Sequence, residues 1–184
     1  MFYKDERLAL FIDGQELHRA AAQLEFSVDF KRLIDTFKVR GRLLRSYYYT
    51  VLPPEIAGGQ NTYVPLRPLV DWLEYNGFAI RKRIATDGSN RAHEEREKLR
   101  VNLMLEAIGL AHARRVEHVV LFLNSGAYLP LVEALKREGV RVTLVSTIKT
   151  NPPVVDDELR RAADWFVDLH DLRDEVEKER SNPL

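Results

Sequence analysis

The feature that most constrains this chain is an alternation. Short apolar runs, rich in branched or aromatic residues, are separated by longer stretches with helical spacing. The runs fall at 8–12, 43–50, 78–85, 118–123, 140–145 and 165–169, and helices are expected at 15–24, 30–39, 65–76, 95–115, 128–138 and 156–163. A strand reaches a parallel neighbour only by a crossover, and a crossover helix covers one face of the sheet. The pattern therefore predicts an α/β fold with a parallel sheet. With 184 residues, 45% of them hydrophobic, one domain over 1–170 and a charged tail over 171–184 are expected. Loops at 52–63 and 86–95 are longer than a crossover needs, and loops of that kind often carry binding function.

Composition removes several classes of function. The 28 basic and 28 acidic side chains cancel, so net charge implies no polyanion coat. Their distribution is uneven: 31–49 holds six bases and one acid, and 156–179 holds ten acids and four bases. A polyanion would choose the first face, where Tyr47, Tyr48 and Tyr49 are either candidate stacking groups or core residues beneath an ordinary solvated charged face. The absence of cysteine excludes a disulfide scaffold, a thiolate zinc site and a cysteine nucleophile. The amino terminus has charges at Lys4, Asp5, Glu6 and Arg7 before only five apolar residues, too few for a signal or a membrane span. A cytoplasmic protein with no membrane partner is the expectation.

In a parallel sheet, ligands bind beyond the carboxyl ends of the strands. The first run is followed there by "DGQE", with Asp13 and Glu16. The fourth is followed by "NSGAY", with Asn124 and Ser125, and the fifth by "STIKT", with Ser146, Thr147 and Lys149. These could converge on one polar crevice, and Asp13 and Ser125 are equally good helix N-caps. In the long helix, Leu99, Leu103 and Leu110 form a stripe in which Glu106 takes the i+7 place. An inward carboxylate needs a partner, or else its stem packs and its head reaches water. If Glu106 and Asp13 meet, their hard oxygens suit Mg²⁺ or Mn²⁺, with a phosphodiester completing the shell. The histidines lack HExxH spacing, and no GxSxG, GxGxxG or P-loop pattern is present.

The stretches "LALFIDGQEL", "LRVNLMLEAIGLA", "HVVLFLNSGAYLPLVEALKREGVRVTLVST" and "DDELRRAADWFVDL" together resemble the NYN domain of the PIN-like nuclease superfamily, in its LabA-like branch. The resemblance implies a three-layer fold, a central, mainly parallel sheet flanked by helices, and a divalent-metal ribonuclease site made by acids at strand ends and on the long helix. Residue by residue, Asp13 matches the aspartate that ends the first strand. Gln15 and Glu16 stand where the pattern has a small or acidic residue and then asparagine. Arg100 takes the place of an aspartate early in the long helix, and Glu106 that of a second. The "SGDxDF" after the fourth strand reads here with Ser125 and Ala127 in place of both aspartates. Asp164 also fits the pattern.

Lost ligand charge at Ser125 and Ala127, and gained positive charge at Arg100, weaken a metal site. Arg100 could grip a phosphate instead. The expected function is an RNA-binding or regulatory module with a largely lost metal site, its RNA contacts made by Arg100, Asn124, Ser125, Thr147 and Lys149. Two alternatives stand beside it. One is a weak ribonuclease that holds Mg²⁺ or Mn²⁺ on Asp13, Glu106 and Glu16. The other is an assembly subunit, paired with a protein partner or with itself.

Overall fold

The computed structural model describes residues 2–52, 66–85 and 89–179. In chain order the elements are β1 (Arg7–Asp13), α1 (Gly14–Gln23), α2 (Phe30–Lys38), β2 (Arg42–Leu52), α3 (Leu66–Tyr75), β3 (Phe78–Ile84) and α4 (Ser89–His112). There follow β4 (His118–Phe122), a 3-10 turn (Gly126–Tyr128), α5 (Leu129–Arg137), β5 (Arg141–Ser146), α6 (Asp157–Ala162), β6 (Trp165–Asp168) and α7 (Arg173–Val176). The six strands form one sheet in the order β3-β2-β1-β4-β5-β6, and every adjacent pair is parallel.

That order makes the molecule three layers. Leu8, Leu10 and Ile12 of β1 point into one core with α1, α2 and α3, and Ala9 and Phe11 point into the other with α4, α5 and α6. Strands covered on both faces read as unbroken apolar runs, and β4 is buried at all five positions. The chain starts in the middle of the sheet, builds outwards through β2 and β3, then returns to place β4 against β1. The order thus reverses between β1 and β4, and the crevice beyond their carboxyl ends is where such sheets bind ligands.

Two expectations need correction. The segment from residue 171 is not simply a tail: Leu172 and Val176 are buried in the α1–α3 core, and α7 packs on α2. The loop expected at 86–95 is helical from Ser89, the start of α4. Past residue 52, the expected loop at 52–63 lies outside the described residues. Among the described residues no helix is long and apolar enough to cross a membrane.

Candidate functional site

Asp13 is the last residue of β1 and the N-cap of α1. Its Oδ1 accepts from the amides of Gln15 (3.1 Å) and Glu16 (3.2 Å), and its Oδ2 accepts from the Tyr128 hydroxyl at 2.9 Å. The helix starts without a loop because of Gly14: a Cβ there would stand 2.3 Å from the Tyr48 hydroxyl oxygen. One turn in, Glu16 reaches across to β4. Its Oε2 accepts from the amides of Asn124 and Ser125, the latter at 3.2 Å. Asn124 completes the tie: its Nδ2 donates to the Glu16 carbonyl at 2.8 Å, and its Oδ1 accepts from the Ser146 hydroxyl at 2.6 Å.

The two carboxylates lie in each other's field. Burial pushes the Asp13 carboxyl up, against the pull of its two amides, the Tyr128 hydroxyl and the charge of Arg96. Burial also pushes Glu16 up and the charge of Asp13 adds to it, while the two amides and Arg100 oppose. Arg100 lies over the Tyr128 ring, 5.3 Å from its centroid, and gives one terminal nitrogen to Glu97 at 2.8 Å. Its Nε is buried with no hydrogen-bond partner.

Asp13, Glu16, Asn124, Ser125 and Arg100 are therefore brought together. Glu106 is not. Six residues at 100° each put it a third of the way round α4 from Arg100, towards β2 and β3. There it accepts from the Tyr49 hydroxyl (2.6 Å) and from Arg81, whose Nε lies at 3.0 Å. Thr147 is fully buried, with its hydroxyl on the Lys149 amide at 3.0 Å, and the Lys149 ammonium pairs with Asp171. Asp164 lies at the opposite end of the sheet, before β6, where it accepts from the Val142 amide at 2.9 Å. Among the described residues no three His, Asp or Glu side chains are placed to share a metal ion.

Of the two readings of the basic, tyrosine-rich stretch, the structure shows the packed one. Tyr47, Tyr48 and Tyr49 are buried, and Tyr47 stacks on Phe11. Arg32 donates to the carbonyls of Glu177 and Asp174, Arg40 pairs with Glu175, and Lys31 and Lys38 share Asp35. Three residues at the site escape the sequence reading. Tyr128, Arg96 and Asp156 are read there only as members of the helices expected at 128–138, 95–115 and 156–163. A Cβ on Gly126 would stand 2.9 Å from the Asp156 carboxylate, which places that acid at the rim. The available signals were Arg96 one turn before Arg100, and consecutive acids ahead of α6.

A family model described as "NYN domain" matches residues 7–171. The chain is 28% identical over 191 residues to the low amplitude and bright protein LabA of Synechococcus elongatus, covering all of this chain and 95% of that one. A crystal structure of a protein of unknown function from Vibrio parahaemolyticus superposes with a TM-score of 0.69 at 19% identity, over 96% of this chain and 99% of that one. That likeness speaks for the fold.

Proposed function

Since the chain belongs to the NYN domain family, we propose that it holds RNA at the carboxyl end of its sheet, as a regulatory or binding module, without cutting it through a divalent ion. The observation that carries this reading is the state of the donors. Mg²⁺ and Mn²⁺ need ionised, available oxygens. Both oxygens of Asp13 are engaged by protein donors, and Glu16 Oε2 takes two amides. Burial favours the neutral form of each, so this set does not fit a tightly held ion. Arg100 stands beside them with its side chain partly exposed and one terminal nitrogen on Glu97, and a guanidinium is a natural partner for a phosphodiester oxygen. The exposed Arg96 extends the cationic edge one turn further.

The ribonuclease alternative would have to work without Glu106, which is neutralised by Arg81 on the other edge of α4. A labelled single-stranded RNA, incubated in Mn²⁺ or in EDTA, decides between them. Equal retention in both with no cleavage is expected, and Arg100→Asp should weaken retention roughly tenfold. Cleavage that needs Mn²⁺ and disappears in Asp13→Asn would overturn the holding reading.

A further inference from the structure

Tyr128 touches both halves of the crevice. The Arg100 guanidinium lies over its ring, and its hydroxyl donates to Asp13 Oδ2 at 2.9 Å. The backbone around it is fixed on both sides: the Tyr128 amide closes the 3-10 turn on the Ser125 carbonyl at 3.1 Å, and α5 follows at once with Pro130 in its first turn. The side chain is fully buried, so the ring is a rigid platform that cannot follow a moving arginine. Burial and the charges of Asp13 and Glu16 push its hydroxyl up, which keeps it a donor at neutral pH. Arg100 is held from three sides. Tyr128 takes one face, Glu97 accepts from one terminal nitrogen at 2.8 Å, and the Nε is buried. An arginine on an open helix surface keeps a rotamer freedom that a bound phosphate must remove. Here most of that freedom is gone before a ligand arrives, and a stacked guanidinium still donates in its own plane.

We infer that Tyr128 is the positioning residue of this site: anchored by its hydroxyl to Asp13, its ring presents Arg100 to a phosphodiester as a fixed, planar donor. The inference rests on the reading that Arg100 holds RNA, and it goes further by assigning the grip to geometry rather than to charge alone. Preorganised donors bind more tightly because the ordering cost is met in folding. Tyr128 thereby joins the cation of α4 to the carboxylate that ends β1, two elements with no direct bond at this point. Charge and platform are separable by substitution. Arg100→Lys keeps the charge but gives up both the flat face that stacks and the fork of donors.

The test measures retention of a labelled single-stranded RNA by the full chain across a salt series. Arg100→Ala should lose about fivefold, and the slope of log affinity against log salt should shrink by about 0.7, the share of one phosphate contact. Arg100→Lys should lose nearly as much although its charge is kept. Tyr128→Leu should match Arg100→Ala in both readings, and Tyr128→Phe, which keeps the ring, should recover most of the loss. In the Arg100→Ala background, Tyr128→Leu should cost nothing further, whereas a merely structural role would lower retention in both backgrounds and leave the slope alone. Wild-type retention by Arg100→Lys would overturn the inference and leave the holding reading standing, as would additive losses in the double variant. Wild-type retention by Arg100→Ala would overturn the holding reading and the inference with it. The Arg100 variants change a partly exposed side chain, so they decide the matter even where Tyr128→Leu fails to fold.

Discussion

The two ends of the sheet treat their carboxylates in opposite ways. At the amino end, acids meet guanidiniums directly: Arg7 Nε lies 2.9 Å from Glu117, and Arg141 Nε lies 3.0 Å from Glu6. Hydrogen bonding from Arg7 holds the Glu117 carboxyl below its usual range. At the carboxyl end, Asp13 and Glu16 are held by amides and a tyrosine hydroxyl, with Arg96 and Arg100 acting on them only through space. Burial therefore wins there and pushes both carboxyls up. An ion-pair frame is ordinary structural support, whereas two acids forced towards neutrality in a strand-end crevice depart from what stability alone would select. Departures of that kind concentrate at functional sites.

The strongest way to break the contrast is at Asp13. Asp13→Ala removes the cap of α1 and leaves the buried Tyr128 hydroxyl without its acceptor, for a loss of about 2 kcal/mol. Asp13→Asn keeps an equally good cap and a partner for Tyr128 while deleting the buried charge, so it should unfold close to the wild type. Chemical denaturation of both variants checks the pair. Equal destabilisation would mean that the charge, not the hydrogen bonding, holds the site.

A smaller effect separates the two ends by pH. An acid whose carboxyl is pushed up on folding contributes stability that is complete below the ordinary carboxylate range and is lost as pH rises through the raised value. Glu16→Gln should therefore raise Tm at pH 7, with the advantage vanishing towards about pH 4. At the amino end His118, buried and beside Arg141, is pushed down to about 4. Its Nε2 lies 2.7 Å from the Thr143 hydroxyl. A depressed imidazole contributes stability that is complete above its ordinary range, about 6.5, and is lost as pH falls through the depressed value. Melting curves across pH should thus lose their neutral-side penalty in Glu16→Gln and keep their acid-side fall. A Glu16→Gln curve parallel to the wild type would show that the two ends are not distinct.

The same contrast explains what could be read from the sequence. The strands were legible because both faces are covered: 8–12 was expected and Arg7–Asp13 is observed, and β4 starts at His118 as expected. Asp13 and Glu16 could be singled out because they follow the first strand at its carboxyl end, and Arg100 because the family pattern has an aspartate in its place. The partners were not legible, because Tyr128, Arg96 and Arg81 come from elements whose contacts are set by packing rather than by local pattern. Glu106 shows the limit well. Its inward position was readable, but its neutralisation by Arg81 and Tyr49 depends on β2 and β3 lying under that edge of α4. The triple tyrosine could be read either as stacking groups or as core, and all three are core. Helix α7 escaped because four residues with Asp174 and Glu175 look solvated, and only Leu172 and Val176 mark its buried side.

The smallest expected effect lies at the amino end itself. In the Arg7–Glu117 pair the side chains are 40% and 44% exposed, so solvent screens the attraction and ordering two long side chains offsets what remains. The Arg7 amide also donates to Glu117 Oε2 at 2.6 Å, a bond that a change of side chain leaves in place. Arg7→Ala should leave Tm unchanged within the scatter of the measurement, at low and at high salt alike. If instead it cost as much as Asp13→Ala, the amino end would be under the same strain as the carboxyl end. The difference between them would then no longer point to the crevice between β1 and β4 as the place where this fold departs from stability for the sake of binding.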